Sequence, residues 1–530
     1  MATRAPGPPA AGLRLASTAL ALSLAASLPA RAAPPPDATP PPTATPAPAA
    51  TPAPAARPPD PDEPCRAAPL DGGSGSPGAP AAAEEAAGAA GARRSWVLPV
   101  VETLVLDLAV WGVARATNGT RTDDWSIQFP DVLTRYPFRP WTFDLDDFDT
   151  NQFLHPYHFQ LTFTAGRSSG LGFWESALFP LLGSLFWELF LETQGPSVND
   201  QITSTLGGIF LGEGLFRLSD MILLGGGPSP GVLRQVGAFL VAPVAGFNRL
   251  VFGYPGDVER PVTSLVRVTA GGAGGQTSAS GAPSAATGLR GFAAVEVTQF
   301  GVGGWRARRP FEHFEFAAGF AAGSGAGVLA GQTGAQWYLL VSGLIVPGRV
   351  DGGRSFQGLW GLFGGYEYDE PSALRLSAST LGVGLTGQWE LGGRAALQGT
   401  AVANWVVLGV ADAMGSRTTT ASYKVGPSAE ALLDAKLLLG DAAWVRASAR
   451  QYLLLNPVHA SGWEDLTRAS LSVLVRIWGP HALVVEGELA RRAVHRAGLP
   501  EERQGAAFLR LGYSYLSDPG LGSVPPRPAP

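Results

Sequence analysis

Hydrophobic and polar residues alternate with a period of two through most of the C-terminal half of the chain, from about Val262 onward. The last segment is the clearest, since Leu509, Leu511 and Tyr513 fall on one face while Arg510 and Ser514 fall on the other. About twelve such segments follow one another, each roughly ten residues long, which is the length that a tilted strand needs to cross a membrane. The pattern predicts an antiparallel β-structure of about twelve strands over residues 262–518.

Charged side chains fall on only one face of each predicted strand. In a soluble sandwich the apolar face would be the core, whereas in a membrane barrel it meets lipid and the charged face lines the lumen. Alternation alone does not separate the two. The barrel is favoured by a predicted secretion signal, the lack of disulfides, aromatic strand ends and an even strand count. The residues expected to face the lumen are Arg375, Glu430, Asp434, Lys436, Arg446, Arg450, Arg476, Glu486, Glu488 and Arg510.

The composition agrees with a lipid-facing protein. Charged residues make up 15% of the chain, against about 25% in a typical soluble domain. Glycine and aromatic residues are frequent, with 69 Gly, 25 Phe and 14 Trp. The net charge is −5 and no basic block occurs, so nucleic acid is not expected as a partner.

The first 32 residues have the three parts of a secretory signal peptide in order. Arg4 and Arg14 supply positive charge, residues 15–28 form a short apolar run, and Ala30-Arg31-Ala32 fits a cleavage site. The single cysteine, Cys65, forms no intramolecular disulfide, and no Leu-x-x-Cys motif suggests a lipid anchor. These features predict export across the inner membrane, with the outer membrane as destination.

Three further segments complete the predicted organisation, α+β overall. Residues 33–95 are rich in Pro and Ala, and this composition predicts a disordered linker. Residues 96–255 predict a mostly helical unit, in which the apolar run 97–113 is interrupted by Glu102 and Asp107 and so is not expected to stop in the inner membrane. Residues 519–530 predict a disordered tail. The helical unit is expected to pack against or inside the barrel mouth on the periplasmic side, because its apolar faces need covering.

Polar motifs are concentrated between residues 147 and 225, and they resemble the bacterial domain-of-unknown-function family 3943. The resemblance extends to Tyr366-Glu367-Tyr368-Asp369, and it departs at Phe159, where glycine is expected. It implies an outer-membrane setting and brings no known activity. The matching residues are Asn151, His155, Pro156, Tyr157, Arg167, Ser168, Gly170, Trp174, Gly183, Ser184, Trp187, Glu188, Glu192, Pro196, Ser197, Asn199, Asp200, Gly207, Gly208, Gly212, Glu213 and Arg217.

A weaker likeness is to the VanZ family, whose core also has a glutamate, a turn, an aspartate and spaced glycines. Glu188 or Glu192, Asp200 and Gly208 would correspond, but the arginine and asparagine expected there are missing. This likeness indicates a helical hairpin and no activity.

The same segment holds the candidate catalytic residues. Glu188 and Glu192 share a helix face, Asp200 begins the next helix, and His155 and His158 precede both. Carboxylates and imidazoles that converge in an apolar unit could bind a metal or serve as acid and base. However, no His-Glu-x-x-His or Glu-x-x-His spacing occurs, so neither a metal nor another cofactor is expected.

Structural roles explain the same residues and stay open as alternatives. Ser197 and Asp200 form a helix-capping box, Glu213 and Arg217 an i,i+4 pair, and Gly208 and Gly212 a close helix contact. In this interpretation Glu188 and Glu192 pair with Arg167 or with a lumen arginine such as Arg446. A serine hydrolase using Ser168 or Ser197 with His158 lacks a G-x-S-x-G frame.

Two functions are therefore expected from different classes. The first is an outer-membrane protein with a structural role or with passage of a small solute or lipid, the helical unit being a plug or a periplasmic unit. The second is an envelope enzyme that modifies lipid or glycan through His155, His158, Glu188, Glu192 and Asp200. Outer-membrane lipid and the barrel-assembly machinery are the expected partners.

Overall fold

The computed structural model describes residues 94–118, 127, 138–143, 146, 148–225, 230–253, 264–280, 286–301, 304–323, 336–352, 355–369, 374–413, 423–455, 462–496 and 498–524. The expected signal peptide, nearly all of the expected linker and Cys65 lie outside these ranges, so those expectations remain predictions.

Twelve antiparallel strands form a closed barrel in which each strand pairs with its neighbours along the chain and β1 pairs with β12. The predicted fold class, a helical region followed by an antiparallel barrel, is confirmed. The strands are β1 (Ser264–Ala279), β2 (Ala286–Phe300), β3 (His313–Ala322), β4 (Gln336–Asp351), β5 (Phe356–Asp369), β6 (Leu374–Gly392), β7 (Ala395–Ala413), β8 (Tyr423–Leu439), β9 (Ala443–Leu455), β10 (Gly462–Trp478), β11 (His481–Arg496) and β12 (Glu502–Leu516).

The two faces of the wall are identified by contacts between strands that are not neighbours. Glu367 of β5 contacts Arg450 of β9 and Arg468 of β10, so all three side chains point into the lumen. Because side chains alternate along a strand, Tyr366 and Tyr368 point outward. The same register places Val297, Phe316 and Val341 on the outer face beside Tyr366.

Seven α-helices precede the barrel in the part of the chain that the structure describes. They are α1 (Val97–Asn118), α2 (His155–Ser168), α3 (Phe173–Ser176), α4 (Leu178–Phe186), α5 (Val198–Leu224), α6 (Val232–Val241) and α7 (Pro243–Phe252). Two π-helical turns, Thr150–Leu154 and Trp187–Leu191, adjoin α2 and α4. Helices α6 and α7 are separate because Pro243, at the start of α7, cannot continue α6.

Helices α2 and α5 form the centre of the helical unit and approach closely at glycines. A Cβ placed on Gly208 would lie 3.0 Å from Cβ of Phe159, and one on Gly212 would lie 2.9 Å from Cβ of Phe163. Both phenylalanines are fully buried. The small-residue contact expected on α5 therefore brings its backbone onto the aromatic side chains of α2.

The helical unit packs on the outer surface of the barrel. Phe210, Leu211 and Leu215 of α5 belong to one buried cluster with outward residues of β2 to β5, including Val297, Phe316, Leu339, Val341 and Tyr366. A Cβ on Gly214 would lie 2.8 Å from Val341 Cγ2, so α5 runs close over β4. The described contacts thus join α5 to the outer wall, a position that differs from the expected place at or inside the barrel mouth.

Polar contacts fix the helical unit along this wall. The Tyr366 hydroxyl donates to the carbonyl of Gln152, and the Tyr368 hydroxyl donates to Asp149 Oδ1 at 2.7 Å. Arg217 Nη2 donates to the carbonyl of Pro310 at 2.7 Å. The terminal tyrosines of β5 and the loop before β3 therefore hold the unit at separate points on the wall.

Helix α1 is the one helix in the described ranges that is long and apolar enough to cross a membrane, on length and composition, over Val97–Thr117. Its two carboxylates do not prevent this because both point toward the protein, where Asp107 is fully buried and Glu102 is half-buried.

Candidate functional site

The centre of the barrel lumen holds a network of charges built on Arg450. Arg450 Nη1 lies 3.0 Å from Glu430 Oε1 and 3.3 Å from Glu367 Oε2, and the Tyr452 hydroxyl donates to the same Glu367 oxygen. Arg468 contacts Glu367 as well and lies 2.5 Å from Asp369. Carboxylates of β5 and β8 are thus neutralised by arginines of β9 and β10 across the lumen.

Two further arginines continue the network. Arg446 Nε lies 2.7 Å from Asp434, and its other nitrogens lie 3.6 Å from Glu315 and 3.9 Å from Glu296. Arg510 contacts Glu486 at 2.8 Å and Glu488 at 2.6 Å. These groups line a cavity of about 270 Å³, which is large enough for a small polar molecule or several waters.

An apolar cluster closes the lumen at the end where β1 begins and β12 ends. Leu521 and Val524, which follow β12, are buried there together with Trp305 from the loop before β3. Gln398 donates to the carbonyl of Gly522 at 2.7 Å, and Gln388 donates to that of Val524 at 2.8 Å. Residues 521–524 therefore pack inside the barrel end, which corrects the expectation of a disordered tail for this part; residues 525–530 lie outside the described residues.

Most of the residues expected in the lumen do lie there. Glu430, Asp434, Arg446, Arg450, Glu486, Glu488 and Arg510 belong to the network described above. Lys436 pairs in register with Arg446 and lies over the Phe300 ring, and Arg476 reaches the carbonyl of Asp518 near the closed end.

Arg375 corrects this expectation, because it lies on the outer face. It shares that face with Ser377, which pairs in register with Tyr368. Its guanidinium lies over the ring of Phe148, 5.7 Å from the centroid. The strand register sets this outward position, and the helical unit that covers this part of the wall supplies the ring on which the guanidinium lies.

Within the helical unit, Glu188 and Asp200 both contact Ser197 at the turn into α5. Glu188 Oε2 accepts from the Ser197 amide at 2.7 Å, and Ser197 Oγ accepts from the Asp200 amide at 3.2 Å. Asn199 donates to Asp200 Oδ1 at 3.0 Å. Ser197 thus caps α5, while Glu188 holds the backbone just before it. Glu192 accepts instead from the indole of Trp187 at 2.6 Å.

His158 pairs with Asp107 of α1, a residue outside the predicted cluster. The distance from His158 Nε2 to Asp107 Oδ1 is 3.1 Å, and the imidazole also packs edge-on against Trp187. Asp107 is fully buried and His158 is nearly so. The pair therefore fastens α1 to α2. A carboxylate inside an otherwise apolar helix was the signal for it, because such a group needs a polar partner in the fold.

A second buried ion group joins α2 to α5. Arg167 Nε lies 2.8 Å from Glu213 Oε2, and Arg217 Nε lies 2.8 Å from Glu213 Oε1. The expected i,i+4 pair is present, whereas the suggested partner of Glu188 and Glu192, Arg167, is bound to Glu213.

No group of three metal-binding side chains occurs among the residues that the structure describes. His155 is half-buried at the start of α2. Ser168 accepts from Asn248 at 2.8 Å and donates to the carbonyl of Thr164 at 2.7 Å, so its contacts are those of a buried structural serine.

Residues 140–244 match the family described as a domain of unknown function, DUF3943. The match covers the α2–α6 region and confirms the resemblance carried by the polar motifs. Two buried polar residues of the helical unit, Asp107 and Asn248, lie outside the DUF3943 segment. No curated protein matches the chain.

Several solved structures are similar to the chain at low identity. An outer-membrane channel of Pseudomonas putida F1, COG4313, is 14% identical with a TM-score of 0.30, over 49% of this chain and 98% of that one. The translocator domain of autotransporter NalP from Neisseria meningitidis is 13% identical with a TM-score of 0.23, over 49% and 90%. The toluene transporter TodX of Pseudomonas putida is 9% identical with a TM-score of 0.22, over 48% and 90%.

Proposed function

We propose that the chain is an outer-membrane β-barrel that passes a small polar solute, and that the arrangement described above is its closed form. The cavity supports this proposal most directly, because arginines and carboxylates from many strands line the same space. Outward leucines and valines on β10, such as Leu471 and Val475, are exposed and suit contact with lipid.

The closed end supports a gated pathway. Leu521 and Val524 occupy the barrel end through apolar packing and through two glutamine side chains that hold their backbone. Such contacts are weak enough individually to be broken without unfolding the wall. We expect the segment 521–524 to move out of the lumen when the pathway opens.

The test is conductance of the purified full chain in planar bilayers. A Leu521→Asp/Val524→Asp variant should raise conductance severalfold over wild type, since the apolar seal would be lost. Gln451→Ala, whose side chain contacts Thr467 outside the network, is the matched control and should leave conductance unchanged. Retained heat-modifiable migration on gels shows that the barrel is folded. Equal conductance in a folded seal variant and wild type would contradict the proposal.

The alternative, an envelope enzyme, differs from the solute pathway in what it predicts for outer-membrane lipids. Because His158 fastens α1 through Asp107, we expect a His158→Ala variant to alter the helical unit without changing lipid chemistry. Mass spectrometry of outer-membrane lipids from cells that lack the protein, make the wild type or make His158→Ala tests this. A mass change present only with wild type would favour an envelope enzyme over a solute pathway.

A further inference from the structure

The polarity of α1 is the reverse of that in a soluble protein. Glu102, Thr103 and Asp107 point into the helical unit, while its exposed positions include Leu104 and Leu108. Between Val97 and Ala114 the exposed residues are all apolar. A helix on the surface of a soluble protein places its polar residues in the solvent, so water does not explain the outer face of α1.

Helix α7 repeats this reversal. Asn248 is fully buried and donates to Ser168 at 2.8 Å and to Glu102 at 3.2 Å, so it joins the same polar interior. The exposed face of α7 carries Phe247, Leu250, Val251 and Phe252. Two separate helices thus direct polar side chains toward one interior and apolar ones away from it.

These apolar faces continue the outer surface of the barrel. On the inner side of the unit, α5 covers outward residues such as Phe316 and Val341. Elsewhere on the barrel the outward residues are exposed and apolar, for example Leu471 and Leu509. The 22 residues of α1 have a length of about 33 Å, close to the ~30 Å hydrocarbon thickness of a bilayer.

We infer that the exposed faces of α1 and α7 contact the acyl chains of the bilayer, so that the helical unit forms a lipid-facing part of the wall. The inference rests on the membrane placement proposed above. The reversed helices carry it, since the bilayer interior is the environment in which an apolar surface around a polar interior is stable.

The test measures the surroundings of single cysteines in the full chain carrying Cys65→Ser. The variants Leu104→Cys and Leu250→Cys probe the two helices, and Leu471→Cys probes the barrel wall. Leu499→Cys, in the exposed turn before β12, is the matched control for water. Each protein is labelled with a polarity-sensitive NBD fluorophore and folded into phosphatidylcholine liposomes with or without brominated acyl chains.

The expected result is blue-shifted emission quenched by brominated lipid at 104, 250 and 471, and neither effect at 499. Water-like emission at 104 and 250 with lipid-like emission at 471 would overturn the inference alone, and would favour a protein partner for these faces. Water-like emission at 471 would contradict the proposed membrane placement as well. Val101→Cys and Val251→Cys repeat the test if a first variant does not fold.

Discussion

The two sides of the barrel carry outward residues of the same kind but have different surroundings. On β2 to β5, Phe316 and Val341 are fully buried beneath the helical unit, whereas on β10 Leu471 is 57% exposed. We call the first side, β2 to β5 with the adjoining start of β6, the covered wall, and the β8–β12 side the bare wall. Apolar alternation therefore identifies an outward face, but the same alternation occurs whether lipid or protein contacts that face.

Polar side chains that contact the helical unit distinguish the covered wall. Tyr366 and Tyr368 donate hydrogen bonds to the helical unit, and Arg375 lies over Phe148. A tyrosine hydroxyl or a guanidinium on an outward face needs a partner away from water, and the helical unit supplies it. The bare wall has no such requirement where its outward residues are leucine and valine.

The largest effect is expected from Glu213→Ala in the helical unit. Removing this carboxylate leaves Arg167 buried and Arg217 partly buried without their shared partner, which costs about 3–5 kcal/mol. Limited proteolysis should cut the helical unit of the variant while the barrel keeps its heat-modifiable migration. The exposed pair Glu501–Arg503 provides the control, since Glu501→Ala should leave the digestion pattern unchanged. If the barrel unfolded together with the helices, the stability of the barrel would depend on the helical unit, which would contradict this prediction.

A charge on the bare wall should have the next largest effect. Leu471→Arg places a guanidinium in the lipid near the middle of β10, which costs about 2–4 kcal/mol at the bilayer midplane. Leu439→Arg, at the end of β8, should cost about 0–1 kcal/mol because it lies near the interface. Urea titration in liposomes, followed by tryptophan fluorescence, gives both free energies of unfolding. Equal costs at the two positions would contradict a lipid-facing bare wall.

A larger residue at the contact between α5 and the covered wall should have a moderate effect. The Cβ of Gly214→Leu would lie 2.8 Å from Val341 Cγ2, and overpacking of this kind costs about 1–3 kcal/mol. Gly112→Leu on α1 has open space at its Cβ and should not destabilise the protein. The measurement is the protease concentration needed to release the helical unit. Equal resistance in the two variants would place α5 away from β4.

The smallest effect is expected from Tyr366→Phe. It removes one hydrogen bond between β5 and the Gln152 carbonyl, and a typical net contribution is about 0.5–1.5 kcal/mol. Amide hydrogen exchange around residues 150–154 should accelerate, while exchange on β10 stays the same. Faster exchange at both places would show that the contact stabilises the whole barrel.

The sequence predicts the barrel well because its signal is local. Period-two alternation, as at Leu509 to Ser514, depends only on neighbours along a strand, and strand number follows from counting segments. The lumen position of Arg446 and Glu488 follows from the same rule. Ser197 was also identifiable as a cap because capping joins residues only three apart.

Contacts between distant parts of the chain could not be predicted in this way. Asp107 and His158 are 51 residues apart, and no local pattern pairs them. Val341 resembles a lipid-facing valine until α5 is placed over it, and the same covering supplies the contact with Phe148 for Arg375 on the outer face. Leu521 and Val524 are likewise buried by residues that are distant in the sequence, at the end of the barrel. No pattern in their own segment indicates this.

The most direct test of the covered wall is a disulfide between α5 and β4 in a Cys65→Ser background. A Cβ on Gly214 would lie 3.7 Å from Cβ of Val341, within the usual range for a disulfide. We expect Gly214→Cys/Val341→Cys to crosslink under mild oxidation. Gly214→Cys/Leu340→Cys, whose second cysteine faces the lumen, should not crosslink. Crosslinking through 340 and not through 341 would place α5 inside the barrel and overturn its position on the outer wall.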